Sequence, residues 1–132
     1  MELIDALRYH LNISSLSCSQ RVYWRRAPER ATTPYCVMTE MQPKKPLHVH
    51  GETVNTIQRS IQFAVFDSSQ SAAATLSKAL RQYLDGFSGL MGPAGNTCNV
   101  RSALWEGQWF WHYEDDTKLF MESVDLSFQY YE

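Results

Sequence analysis

The sequence predicts an α+β fold, with a mostly antiparallel sheet of about four to five strands, one long helix packed on one face and a short N-terminal helix. Two observations lead to this prediction. Between Thr56 and Phe66, polar and apolar residues alternate, as a half-buried strand requires. From Ala72 to Phe87, apolar residues recur at spacings of three and four, which is the pattern of an amphipathic helix.

The long helix has sequence signals at both ends. Asp67 is expected to cap its first turn, with Gln70 three residues later in the manner of a capping box. Gly86 provides the left-handed residue that commonly ends a helix. In the preceding strand, Arg59 is the one charged residue on an otherwise apolar face, between Ile57 and Ile61.

The other elements follow from the same patterns. A short helix is predicted from Glu2 to Leu11. Further strands are expected over residues 21–23, 34–41, 100–105 and 120–130, with 109–113 continuing the 100–105 strand after a break at 106–108. Loops are expected over residues 12–20, 27–33, 42–52, 87–96 and 114–116. The 42–52 segment is too long for a tight turn, so we interpret it as the projecting loop of a hairpin. Its candidate contact residues are Lys44, Lys45, His48 and His50.

Length and composition bound the class of protein. The chain has 132 residues, which is enough for a single domain over 1–132 with a hydrophobic core. A formal charge of −2 argues against a protein that coats nucleic acid. Cys18, Cys36 and Cys98 lack Cys-x-x-Cys spacing, and no signal peptide or membrane-spanning run is visible. These features indicate a soluble, intracellular protein without a membrane partner.

Two side-chain groups suggest chemistry, and each has a simpler explanation. His48 and His50, with Glu52 two residues on, could bind zinc, but a Pro/Lys/His loop is usually just solvated. His112 lies beside the acidic turn 114–116 and could act in acid–base catalysis, although such a turn between strands is the simpler interpretation. No nucleophile elbow or phosphate loop is present. We therefore expect no enzyme activity, no metal and no cofactor.

One basic cluster interleaves arginines with aromatic residues: Arg21, Tyr23, Trp24, Arg25, Arg26 and Arg30. Such a cluster could bind nucleic acid, because guanidinium and aromatic groups suit phosphates and bases. However, neighbouring side chains of a strand point to opposite faces, and the rest of the chain offers no broad positive surface. Contacts between subunits are the favoured interpretation, because arginine is enriched at protein interfaces.

An aromatic run is the favoured surface for partner contact: Trp105, Trp109, Phe110, Trp111 and Tyr113. Core residues of a strand occupy every second position, so Trp109, Phe110 and Trp111 cannot all face one core. The alternative is a second small cluster inside the same fold. Our hypothesis is that part of the run is buried between subunits, where aromatic side chains concentrate binding energy.

Several short motifs, taken in order, resemble the tail-completion, or tail-terminator, proteins of long-tailed, siphovirus-like phages and related prophage elements. The matching motifs are Arg21-Val22-Tyr23, Arg26-Ala27-Pro28, Pro34-Tyr35-Cys36-Val37, Ile61-Gln62-Phe63, Leu84-Asp85-Gly86-Phe87 and Val124-Asp125-Leu126-Ser127-Phe128. They cover most of the chain. The family often has Pro-Gly where this chain has Trp24-Arg25, and a glycine near Arg30, so the loops of this chain depart from the family pattern.

The resemblance implies a structural role in the virion. Similar proteins, made in the host cytoplasm, form a ring, usually a hexamer, at the head-proximal end of the tail tube. The implied partners are further copies of the chain, the tail tube protein and a head-completion or stopper protein. DNA would pass through the ring without a dedicated binding site. A ring needs a heterologous interface, and the candidate subunit or tube contacts are Arg25, Arg26, Arg30, Trp105, Trp109, Phe110 and Trp111.

Two other functions stay open on the sequence. The first is a small monomeric or dimeric α+β binding module that contacts nucleic acid through the segment from Arg21 to Arg30. The second is a neighbouring virion role, such as a head–tail stopper or a minor tail protein.

Overall fold

The computed structural model describes residues 1–42, 45–49 and 52–131. Two helices and seven strands are found in these residues. The helices are α1 (Leu3–Asn12) and α2 (Gln70–Leu84). The strands are β1 (Val22–Trp24), β2 (Tyr35–Glu40), β3 (Lys45–Val49), β4 (Glu52–Asp67), β5 (Gly89–Met91), β6 (Cys98–Glu114) and β7 (Leu119–Tyr131).

The described strands form one curled, mixed sheet. Its order is β1-β2-β4-β7-β6-β5, and β3 pairs with β4 outside this path. Strand β1 runs parallel to β2, whereas every other described pair is antiparallel. The three longest strands, β4, β7 and β6, are neighbours and have 16, 13 and 17 residues. The sheet therefore has a long central part, with the short strands β1 and β5 at its two ends.

The predicted α+β class, with about four to five strands and one long helix, is wrong. The structure is mostly sheet, with two short helices of 10 and 15 residues. The prediction missed β3, which lies in the segment interpreted as a projecting loop, and β5, which lies in the segment 87–96. Both pair on one side only within the described sheet, and an edge position tolerates short strands and a proline such as Pro46.

Both helices lie on one face of the sheet, which we call the helix face; the opposite side is the open face. Helix α2 contacts β4 and β7, and α1 contacts β1 and β5. The two helices also touch, because the ring of His10 stacks on that of Tyr83 with 4.8 Å between their centroids. Their inward side chains join a single core with the strands: Leu3, Leu7, Leu11, Leu76, Leu80 and Leu84.

Alternate residues of the central strands complete this core. Ile61 and Phe63 of β4, and Leu126 and Phe128 of β7, are fully buried. The alternation predicted for residues 56–66 is confirmed at Ile61 and Phe63, and β7 has the same pattern. The intervening positions place polar side chains on the open face: Ser60, Gln62, Ser123, Asp125 and Ser127. The sheet thus has an apolar face covered by helices and a polar face without them.

The ends of α2 differ from the prediction in one respect. Ser69, not Asp67, is the N-cap, and its hydroxyl accepts a hydrogen bond from the amide of Ala72 at 3.1 Å. At the other end, Gly86 adopts a φ of +85°, as predicted for a residue that ends a helix. Its amide donates to the carbonyl of Ala103 at 2.7 Å, so the end of α2 is tied to strand β6.

Strand β6 continues through the predicted break at 106–108. The register of β6 on β7 shifts between Trp105, which pairs with Leu126, and Trp109, which pairs with Val124. Strand β6 therefore has two more residues than β7 in this interval, which defines a bulge. Gly107 adopts a φ of +82°, a conformation that glycine takes without steric cost.

Arg59 is a charged residue on the helix face, and it is only 8% exposed. Its guanidinium forms ion pairs with Glu2, which precedes α1, and with Glu40 of β2, the latter at 2.9 Å. It also lies 5.8 Å from the centroid of the Trp24 ring. Its interior position is stabilised by these opposite charges, and the contact joins α1, β2 and β4.

We expect Arg59→Met to lower the free energy of unfolding by about 1–3 kcal/mol, the usual cost of losing hydrogen bonds to charged groups. The loss is moderate because Glu40 and Glu2, at 22% and 44% exposed, regain water when the arginine is removed. Urea denaturation measures it. Arg101→Met is the matched control, since Arg101 is exposed and should change stability by no more than about 0.5 kcal/mol. Equal stabilities for the two variants would contradict a structural role for the ion pairs.

Candidate interaction surfaces

Three consecutive side chains of β6 form what we call the aromatic ribbon: Trp109, Phe110 and Trp111. Their exposed fractions are 56%, 57% and 47%. The register pairs Trp109 with Val124 of the helix face and Phe110 with Ser123 of the open face, so the ribbon presents aromatic groups on both sides of the sheet. None of the three is buried, so the alternative of a second internal cluster does not apply to them.

Trp105 differs from the other predicted aromatic contacts because α2 holds it in place. It is partly buried against the core, and the guanidinium of Arg81 lies 4.2 Å from the centroid of its ring. Its backbone amide donates to Asp85 Oδ1 at 2.9 Å. Beyond the bulge, Trp109 makes one polar contact with the body of the sheet, a hydrogen bond from its Nε1 to Glu122 at 3.0 Å. The exposed aromatic surface of β6 therefore begins after Trp105.

Beside Phe110 on the open face lies a cavity of about 480 Å³, which we call the Asp125 cavity. Its walls are Met41, Gln62, Gly107, Trp109, Phe110, Ser123 and Asp125. The bulge of β6 contributes Gly107 to one wall. The cavity thus combines the aromatic side chain of Phe110 with the polar groups of the open face.

Asp125 gives this cavity its electrostatic character. The residue is 8% exposed, and its Oδ1 has no hydrogen-bond partner among the described residues. Burial raises the pKa of Asp125, the charge of Glu106 raises it further, and a hydrogen bond from Gln62 acts in the opposite direction. Glu106 itself accepts a hydrogen bond from the hydroxyl of Ser60. Two carboxylates therefore stand close together, and one buried oxygen still lacks a donor.

The arginine loop, residues 25–33, leaves the sheet directly after β1. The amide of Arg25 donates to the carbonyl of Met38 at 2.7 Å, which fixes the start of the loop on β2. The side chains of Arg25, Arg26 and Arg30 are exposed, and no described carboxylate forms an ion pair with them. Between the loop and the open face lies a cavity of about 890 Å³. The loop is therefore a cationic surface at one edge of the sheet.

Arg21, the first arginine of the predicted basic cluster, has a structural role. Its Nε donates to the carbonyl of Pro34 at 2.8 Å, and its Nη2 donates to the carbonyl of Ser17 at 2.7 Å. These bonds hold together the connector before β1 and the start of β2. The guanidinium of Arg21 is therefore bonded within the fold. The arginines of the cluster that remain available to contact a partner are Arg25, Arg26 and Arg30.

The structure describes only part of the residues predicted for the projecting loop and for a zinc site. Lys45 and His48 lie in β3, which is paired with β4, while Lys44 and His50 lie outside the described residues. Within residues 1–42, 45–49 and 52–131, no three His, Cys, Asp or Glu side chains stand close enough to hold a metal ion. His112 is exposed on β6.

Cys18, Cys36 and Cys98 are buried free thiols. Burial raises the pKa of all three, that of Cys18 to about 11. At neutral pH the thiol form therefore dominates. Neither described helix is long and apolar enough to cross a membrane.

Sequence reasoning missed Asp125 and Glu106 as site residues. The sequence shows Asp125 only as part of a strand motif that resembles one of the tail terminators, and Glu106 only as part of a break. Their proximity depends on the strand order, which places β6 beside β7, and on the bulge, which lies opposite Asp125. The available signal was a glycine flanked by polar residues inside a strand pattern, since such a glycine often marks a bulge.

No family model matches the sequence. No curated protein matches it either. Among solved structures, the fold is similar to a chain from a structure described as the virion of a native gene transfer agent (GTA) particle. The TM-score is 0.69 at 8% sequence identity, and the match covers 98% of this chain and 93% of the other. At this identity the match establishes a common fold.

Proposed function

We propose that this protein is a structural component of a phage-like virion and that it acts there as a tail terminator. In this role several copies form a ring, a hexamer by the family pattern, at the head-proximal end of the tail tube. The ring stops tube polymerisation and docks a head-completion protein. The observation that carries the proposal is the fold likeness to a chain of a gene transfer agent virion, which extends over nearly the whole of both chains.

Two lines of support are independent of each other. The ordered motifs of the sequence resemble those of tail terminators, whereas the fold likeness depends on the backbone alone, at 8% identity. Both lead to proteins of phage-like particles. The resemblance in sequence suggests the specific place in the particle, and the fold likeness extends over 98% of this chain.

The surfaces of the molecule suit a ring. A closed ring needs two different patches on each copy, because each copy contacts two neighbours through a heterologous interface. The arginine loop follows β1 at one end of the sheet order, and the aromatic ribbon lies on β6 near the other end. Large exposed aromatic side chains in a row are characteristic of protein contact sites. Each copy therefore has a cationic patch and an aromatic patch on different strands.

Native mass and electron microscopy test the proposal directly. Light scattering over a concentration series is expected to give a mass of about six times the 15.3 kDa chain, and negative-stain images should show rings with an open centre. If the free protein is monomeric, the same ring is expected at one end of purified tail tubes. A protein that neither associates nor binds tubes would contradict the terminator role.

The binding-module alternative has a separate test. If the arginine loop binds DNA, its cations displace counterions from the DNA phosphates. The association constant should then fall steeply as the salt concentration rises, because salt opposes this release. Under our proposal the free protein shows no tight binding to duplex DNA at physiological salt. Tight, salt-sensitive DNA binding by a protein that forms no ring would favour the alternative.

A further inference from the structure

We infer that the Asp125 cavity of one copy receives an arginine, Arg25 or Arg26, from the arginine loop of the next copy. Each contact in the ring would then join the β1 edge of one copy to the β6 edge of its neighbour. The inference rests on the proposed ring and names the contact that closes it.

The cavity is built to accept a cationic donor. Asp125 is more than nine-tenths buried, and one of its oxygens has no partner in the described chain, an arrangement that is costly unless a donor arrives from outside. Glu106 adds a second negative charge nearby. The side chain of Phe110 forms an aromatic wall, which favours a guanidinium group through cation–π contact.

The arginine loop supplies donors of the matching kind. Arg25 and Arg26 are exposed, and no described carboxylate pairs with either. The guanidinium of Arg25 lies 5.3 Å from the centroid of the Trp24 ring, so its side chain is partly oriented before any contact. Arginine suits such a pocket because its planar group can bond a carboxylate at two points while stacking on an aromatic face.

The positions of the two surfaces favour a second copy as the occupant. The arginine loop follows β1, which ends the sheet on one side. On the other side, β5 pairs with β6 only from Cys98 to Val100. The part of β6 that carries the ribbon therefore pairs with β7 on one side and with no described strand on the other. Asp125 itself lies on the central strand β7, and its Oδ1 has no partner among the described residues of its own copy, although Gln62 lines both this cavity and the one under the arginine loop. A cationic loop on one copy and an acidic cavity on the next give a head-to-tail contact, which is the heterologous type that a ring requires.

Two variants remove the two halves of the contact. Arg25→Glu/Arg26→Glu removes the donor and keeps the cavity, while Asp125→Asn removes the charge of the cavity and keeps its shape. Each is expected to weaken self-association at least about 30-fold, the lower range for truncating one side of a buried charge pair. Arg8→Glu/Arg101→Glu is the control for net charge, because it makes the same change of charge at two exposed arginines outside both surfaces; it should associate like the wild type.

Mixing the two variants gives the decisive result. The Asp125→Asn copy can donate its arginine to the intact cavity of the double-glutamate copy, but the remaining surfaces of that pair are both defective. The mixture is therefore expected to form pairs and nothing larger, as measured by light scattering or native mass spectrometry. Circular dichroism should confirm that each variant is folded, and Glu106→Gln replaces Asp125→Asn if the latter unfolds.

The outcomes separate this contact from the proposed function. Folded variants that assemble like the wild type, alone or on tail tubes, would overturn the contact and leave the ring in place. A mixture that stays monomeric while the wild type forms rings would also overturn it. A wild-type protein that forms no ring under any of these conditions would overturn both the contact and the terminator role.

Discussion

A Phe110→Ala protein is expected to fold normally and to lose ring assembly. The side chain of Phe110 is 57% exposed, so its removal takes little from the core, and stability should change by no more than about 0.5 kcal/mol. At the proposed subunit contact the same ring is an aromatic group beside the Asp125 cavity. Loss of such a group commonly weakens association by about 30-fold or more. Light scattering over a concentration series measures the change.

Tyr9→Ala is the matched control for this variant. Tyr9 is an exposed aromatic residue, at 37%, but it lies on α1 and contributes to neither proposed surface. We expect Tyr9→Ala to assemble at the same protein concentration as the wild type. If Phe110→Ala and Tyr9→Ala behave alike while both stay folded, the aromatic ribbon is not part of the subunit interface.

Phe128→Ala is expected to produce the largest loss of stability, about 3–5 kcal/mol. Phe128 is fully buried on β7, its ring centroid lies 6.1 Å from that of Phe63, and its backbone pairs with those of Arg59 and Ala103. Removing the ring leaves a cavity at the centre of the sheet, where three long strands limit how far the structure can relax. Because small domains have only about 5–15 kcal/mol in total, this change brings the protein close to unfolding at 37 °C.

Urea denaturation at 25 °C measures this effect, and Phe128→Leu provides the volume control. Leucine keeps most of the buried apolar volume, so Phe128→Leu should retain much of the stability that Phe128→Ala loses. The contrast with Phe110→Ala tests the division between core and surface, since both variants remove a phenyl ring. A Phe128→Ala protein as stable as Phe110→Ala would contradict the assignment of Phe128 to the core.

The sequence predicted best those elements whose periodicity comes directly from burial. Strands β4 and β7 each have one face against the helices and one polar face, so a period of two is imposed on their residues. The stripe of apolar residues in α2 arises in the same way from packing on β4 and β7. Arg59 is an exception to this pattern because its charge is paired with Glu2 and Glu40. Both glutamates are distant in sequence, so periodicity could not identify them as its partners.

The elements that were missed have no such period. Strand β5 has three residues, and β3 includes Pro46, so neither shows an alternating pattern. The N-cap at Ser69 was assigned to Asp67, because both residue types favour that position and the first turn contains no acidic residue to distinguish them. The two missed strands, unlike the misplaced cap, lowered the predicted number of strands and so affected the predicted fold class.

The candidate surfaces divide in a similar way. The aromatic ribbon could be proposed from the sequence, because three large aromatic residues in succession on a strand cannot share one core. The Asp125 cavity could not, because Asp125, Glu106 and Gln62 lie on three strands and meet only in the folded sheet. Local sequence contains no record of which strands are neighbours. A functional group assembled across strands therefore becomes visible only with the topology.

The ion pair between Glu2 and Arg59 has a consequence for the order of folding. Its two residues are separated by 57 positions, and α1 lies between them in the chain. During synthesis α1 leaves the ribosome well before β4, so its docking site is completed only when most of the intervening chain has emerged. Contacts of such long sequence separation slow folding, because a large loop has to close first. We expect α1 to dock late and to give a slow phase in refolding. If packing drives this step and charge does not, Glu2→Gln should lengthen the slow phase only slightly.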